Sequence, residues 1–190
     1  MRRNWFGQAL MAAALVAGVG LAQAADKHYA PAPGTDAALS NKVRHEILTY
    51  PRYTLFDDIG YRVNNGQVEL SGAVTQPYKK SDIEKIVRDI PGVTGITDEI
   101  KVLPLSNMDD RLRMQVARSI FGYPALSRYS MGAIPSIHII VDNGHVTLAG
   151  VVDTQMDKQL AGMRANAAGL SFGSVVNNLQ VEHPSSKKTS

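Results

Sequence analysis

The sequence predicts an α+β fold built from two tandem α-β-β-α-β units, and three observations carry that expectation. Ile59 to Val74 returns as Ile137 to Val152 at a constant offset of 78 positions, with 8 of 16 residues identical. Within each copy, apolar residues alternate before an Asn-Gly pair (Ile59, Tyr61, Val63) and after it (Val68, Leu70, Val74). That period of two is what a strand with one buried face requires, and Asn-Gly tolerates the positive φ at both central positions of a tight type I′ turn. Around the hairpins lie stretches with apolar residues every three or four positions, the spacing of an amphipathic helix.

Taken in order, the chain begins with Arg2 and Arg3, an apolar run from Ala9 to Leu21, and Ala22-Gln23-Ala24. A basic start, an apolar core and small residues at the end predict a cleavable signal peptide over residues 1–24. The run is too short and too rich in Ala and Gly for a transmembrane helix. Arg2-Arg3 raises twin-arginine export, but the residues after the pair do not continue that motif, and ordinary secretion is expected. Residues 25–35, with Pro31, Pro33 and Gly34, read as a flexible leader.

The first unit is expected over residues 36–103. Thr35 or Asp36 caps a helix whose inner stripe is Leu39, Val43 and Ile47 and which ends near Tyr50-Pro51. After the hairpin, Pro77 opens a second helix with Ile83, Ile86, Val87 and Ile90 on one side. Pro91-Gly92 stops it, and Ile96, Asp98, Ile100 and Val102 alternate as a third strand. Residues 104–107 form a linker, and the second unit occupies 108–182. Asp109 and Asp110 suit the positive end of its first helix, Leu112, Val116, Ser119 and Ile120 face inward, and Tyr123-Pro124 ends it. Pro124 and Gly144 are 20 positions apart where Pro51 and Gly66 are 15 apart, so the second unit carries a five-residue insertion within Ala125 to Pro135. Met156, Leu160, Met163 and Ala167 give the fourth helix a weaker stripe, interrupted by Gly162, and Val175, Asn177, Leu179 and Val181 match the earlier third strand. The tail, 183–190, is expected to be disordered.

Four glycines read as structural rather than ligand-binding. Gly66 and Gly144 serve the turns. Gly72 and Gly150 fall by parity on the apolar face of the second strand, where a missing side chain predicts a bulge or the close approach of a packed helix.

Composition narrows the function. The chain has no cysteine, hence neither a disulfide framework nor a lipid-bearing cysteine, and the mature chain should be soluble. Setting aside Arg2 and Arg3 from the 20 basic residues leaves 18 against 17 acidic ones, which gives no support to nucleic-acid binding. The five histidines show no metal-ligand spacing with a carboxylate partner, so neither a metal nor a cofactor is expected. His138 and His145 are placed as cross-strand neighbours at ordinary strand positions. Asp57-Asp58 and Asp109-Asp110 are explained by a turn and a helix start, and no serine sits in a nucleophile elbow. No enzymatic activity is expected.

The residues now in view resemble the BON domain, a small module of bacterial envelope proteins. The resemblance is carried by the amphipathic first helix, by Asn-Gly-x-Val-x-Leu-x-Gly at Asn65 to Gly72 and Asn143 to Gly150, and by Val-x-Asn-x-Leu-x-Val at Val175 to Val181. The first unit has Asp98 where the family usually has asparagine. The resemblance implies a small three-stranded mixed sheet in each unit with two helices packed on one face. It also implies a noncatalytic periplasmic protein of the OsmY type that binds phospholipid or other envelope surfaces, in some members as a stress-induced chaperone.

Membrane contact needs basic side chains beside an apolar or aromatic wedge. The preferred patch is Arg111, Arg113 and Arg118 on the third helix with Phe121, Tyr123, Arg128, Tyr129 and Met131 after it. A second patch is Lys79, Lys80, Lys85 and Arg88. Set against both is a solvated basic helix face with aromatics packed at the sheet edge. The expected partner is an anionic phospholipid surface. The alternatives are an unfolded envelope or secreted client met under osmotic stress, and another envelope protein for which this chain is an adaptor.

Overall fold

The computed structural model describes residues 34–132, 134–169 and 173–182. The expected signal peptide, nearly all of the expected leader and the expected tail lie outside the described residues.

In the first repeat, α1 (Asp36–Thr49) is capped by Thr35, whose side chain accepts from the Ala38 amide, and it buries Leu39, Val43 and Ile47. β1 (Asp58–Asn64) and β2 (Gln67–Val74) pair antiparallel with Val63 opposite Val68 and Tyr61 opposite Leu70. Asn65 and Gly66 between them take φ of 50° and 79°, the two positive values a type I′ turn requires. α2 (Pro77–Arg88) starts on its proline. β3 (Gly95–Asp98) and β4 (Lys101–Val102) then run parallel to β2 on its free side. The alternation of Ile96 to Val102 predicts one continuous strand, but the strand is broken in two. Asp98 accepts from the Ile100 amide at 2.9 Å, and that short side-chain turn pulls the backbone out of the ladder between the halves.

The second repeat follows the same plan with α3 (Asn107–Phe121), β5 (Ile137–Asp142), β6 (His145–Val152), α4 (Gln155–Gly169), β7 (Val175–Asn177) and β8 (Gln180–Val181). The inserted segment winds into a 3₁₀ turn at Ser127–Ser130. The strand orders are β1-β2-β3 and β5-β6-β7, so each sheet is mixed, with the second hairpin strand at its centre. The helices cover one face. Val43, Leu70 and Val87 are fully buried in the first core, and Val116, Ile139, Leu148 and Ala165 in the second.

Both repeats tie the first helix to the hairpin turn in the same way. The Asp36 carboxylate accepts from the Asn65 and Gly66 amides at 2.7 and 3.0 Å, and the Asp109 carboxylate accepts from those of Asn143 and Gly144 at 3.0 and 2.9 Å. Asp109 therefore has a partner beyond the helix dipole. Gly72 and Gly150 both adopt φ of 106°, and a Cβ there would lie 2.1 Å from the Asp58 or Ser136 carbonyl oxygen. The close approach is made by the backbone of the neighbouring strand, not by a helix. Gly72 is also exposed, and the alternation is reset just beyond it, with Ala73 and Val74 both buried.

The repeats touch along β5, the edge strand of the second sheet. The Ile139 amide donates to the Leu55 carbonyl at 2.8 Å, and Leu55 and Phe56 pack half-buried against the second core. The His138 ring stands 5.6 Å from that of Tyr53, and its Nδ1–H donates to the Asp57 carbonyl at 2.6 Å. Lys101 pairs with Asp142. His138 and His145 are not cross-strand neighbours, because the register sets His138 opposite Ala149 and His145 opposite Asp142.

Candidate functional site

The loops that enter each hairpin are held by buried polar locks, and these locks claim several side chains of the expected patches. Asp57 is fully buried. It accepts from Lys79 Nζ at 2.6 Å, from the Thr54 amide and hydroxyl, and from the Thr75 amide and hydroxyl. Burial disfavours its charge, but the hydrogen bonds from Lys79, Thr54 and Thr75 outweigh it and hold the carboxyl below the usual range. Lys79 is correspondingly buried, and Lys80 reaches back to the Ile100 carbonyl at 2.7 Å. Of the second patch only Lys85 and Arg88 are exposed, and Arg88 is paired with Glu84. That patch is corrected: two of its four cations are held by the fold.

In the second repeat the lock is rebuilt with its charges exchanged. Asp157 occupies the place of Lys79 at the 78-residue offset, and it accepts from Arg128 at 2.8 Å, the Tyr129 hydroxyl at 3.0 Å and the Thr154 hydroxyl. Burial works against its charge too, and the hydrogen bonds from Thr154 and Tyr129 with the Arg128 charge overcome it, so this carboxyl is also lowered. Tyr129 is buried and its hydroxyl accepts from the Asp153 amide, so it is no exposed wedge. Arg128 stacks over the Tyr129 ring and pairs with both Asp153 and Asp157. The insertion thus belongs to the lock.

Arg113 requires a further correction. It is 3% exposed, donating to the Asp110 carboxylate and, at 2.8 Å, to the Val141 carbonyl. Its position between Leu112 and Val116 turns it inward, where it ties α3 to β5. Phe121 is half-buried on the second core, and Tyr123 lies under Arg164 at 5.4 Å.

What remains on the outer face of α3 is compact. Arg111 and Arg118 are exposed two turns apart, and with Asp110, Met114 and Gln115 they line one shallow groove. Met108 lies beside them, its sulfur 3.2 Å from Arg111 Nη2. Met108 and Met114 are 48% and 44% exposed. Sequence reasoning passed over both because methionine is ordinarily counted as core. The available signal was the position of Met114, which falls off the Leu112–Val116–Ile120 stripe; Met108 continues that stripe one turn back and is exposed at the helix start. Among the described residues no group of three or more metal-ligating side chains occurs, and no helix is long and apolar enough to cross a membrane.

Fold and surface together define a tandem-repeat α+β protein whose buried polar groups are engaged in holding its loops. The chain belongs to the BON domain family, whose profile matches residues 35–104 and again 109–183. BON domains are associated with phospholipid and envelope binding, are generally noncatalytic, and are typical of periplasmic and envelope proteins. No curated protein sequence matches the chain. Among solved structures, it is similar to CdsD, a structural protein of the type III secretion system of Chlamydia trachomatis, at 16% identity over 78% of this chain and 94% of that one, with a TM-score of 0.27. The C-terminal domain of CdsD matches at 15% identity over 75% and 96% of the two chains, also with a TM-score of 0.27.

Proposed function

We propose that this chain is a noncatalytic periplasmic protein of the tandem-BON, OsmY-like type, exported by a cleavable signal peptide, that engages anionic phospholipid reversibly through the outer face of α3. The observation that carries this reading is the grouping of Arg111, Met114 and Arg118 in one exposed groove with Met108 at its side. Seven residues of helix separate the arginines by about 10 Å along the axis, a spacing that lets both meet headgroups of one flat surface while thioethers enter the apolar boundary. Each cation near an anionic surface contributes about 1 kcal/mol, so two give weak binding that salt screens away.

Cosedimentation of the purified chain with anionic and neutral vesicles, at low and physiological salt, tests this. Binding to anionic vesicles alone, reduced by salt and by Arg111→Gln with Arg118→Gln, is the expected result. Absence of binding under every condition removes the reading.

A second reading has its own support. Met108, Met114, Met131, Met156 and Met163 all lie in the second repeat and are all exposed. Flexible thioethers adapt to many apolar partners, as a chaperone for unfolded envelope clients under stress requires. Suppression of client aggregation that survives moderate salt would favour it over the phospholipid reading.

A further inference from the structure

The described methionines are confined to the second repeat, none is buried, and one is in contact with an arginine of the α3 face. The cores are filled instead by Ile, Leu, Val and Ala with Tyr50 and Tyr129, so oxidising every described methionine would touch no buried packing. Susceptibility to oxidation follows exposure, and the product of thioether oxidation is a polar, strongly accepting sulfoxide.

We propose that Met108 and Met114 are an oxidation site that switches the α3 face off, an inference that rests on the phospholipid reading above. The reaction is an oxygen transfer from a peroxide or from hypochlorous acid. The O–O or O–Cl bond breaks, an S–O bond forms, the sulfur loses two electrons, and water or chloride with a proton leaves. The geometry gives the oxygen two effects. Arg111 Nη2 already lies 3.2 Å from the Met108 sulfur, so an oxygen on that sulfur accepts from the guanidinium and ties the cation to its own helix instead of a headgroup. Met114 lies between Arg111 and Arg118 along the groove, and its sulfoxide presents a polar tip where an apolar one is needed. Because neither side chain is buried, α3 stays folded. Sulfoxide reduction by a thiol-dependent reductase restores the face.

The test is cosedimentation of the purified chain with phosphatidylglycerol vesicles before and after hydrogen peroxide, with sulfoxide at each methionine followed by mass spectrometry and helix content by circular dichroism. Untreated chain should bind. Oxidation of Met108 and Met114 should weaken binding about fivefold, the worth of one lost cation contact, with unchanged helix content. The variant Met108→Leu with Met114→Leu, compared only with itself, should bind no more weakly after peroxide than before it, while Met131→Leu with Met156→Leu and Met163→Leu should stay sensitive. Unchanged binding after both sulfurs are oxidised overturns the inference, as does peroxide sensitivity in the first variant. Failure of the untreated chain to bind overturns the phospholipid reading itself, and the switch with it.

Discussion

The two repeats solve the same problem with opposite charges. In the first, a carboxylate in the loop before β1 receives a lysine from α2; in the second, a carboxylate on α4 receives an arginine and a tyrosine from the loop before β5. The fold therefore demands a buried polar tie at that place and is indifferent to which side brings the charge. The outer sheet faces differ in a way that bears on assembly. The cross-strand row Arg62, Glu69, Thr97 of the first repeat becomes Ile140, Thr147, Val176 in the second. The uncharged row belongs to the repeat whose His138 and Asp142 touch the other repeat. The helix pairs differ too. Ile86 is replaced by Arg164, whose Nε donates to the Ser119 carbonyl while the Ser119 hydroxyl donates to the Arg164 carbonyl, a reciprocal clamp between α3 and α4.

The largest effect that could break this comparison is at the glycines. Gly72→Ala and Gly150→Ala should each destabilise by about 3 kcal/mol or more in denaturant unfolding, since each adds a Cβ at positive φ against a carbonyl. A harmless Gly150→Ala would show that the second hairpin does not need its kink.

Next come the locks. Lys79→Met leaves the Asp57 charge buried with only the Thr54 and Thr75 hydrogen bonds, and should cost about 3 kcal/mol. Arg128→Met, on a half-exposed arginine, should show a clearly smaller loss by the same measurement. Equal losses would mean that the exchanged locks are equally buried in solution.

Acid sharpens the same point. Both lock carboxyls are lowered on folding, so their stabilisation is complete above the ordinary Asp value of about 3.9 and is lost as pH falls through the lower folded values. Asp57→Asn should be less stable at neutral pH yet lose less below about pH 4, which a melting series against pH would show.

The smallest effect is at Asp98. In the second repeat Asn177 donates to the Lys158 carbonyl at 2.7 Å, whereas Asp98 Oδ2 is buried with no hydrogen bond. Asp98→Asn restores a donor at that place at the expense of the 3.6 Å ion pair with the partly exposed Lys80, and should raise the melting temperature slightly, worth about 1 kcal/mol or less.

Both hairpins, their turns and the four helices were legible because each is written in local periodicity and local turn chemistry. The locks were not, because Asp57 and Lys79 are 22 positions apart and nothing in either segment marks them as partners. Arg113 and Tyr129 looked like surface residues for the same reason: their types are usually exposed, and only the packing of α3 on β5 and of the insertion on α4 turns them inward. Gly162 looked like a weak point in α4. A Cβ there would stand 2.7 Å from the Asn177 amide nitrogen, so its bareness is what lets the last strand dock.

The hydrogen bond from Ile139 to Leu55 gives the chain a direction. The N-terminal repeat emerges first and can fold first, so the strip that shields β5 is in place when β5 appears. Made alone, the second repeat would present that bare edge to its neighbours, an invitation to pair strand with strand. The two halves are alike in plan but not interchangeable in order: the first completes the second, and a chain with their sequence reversed would have to find another cover.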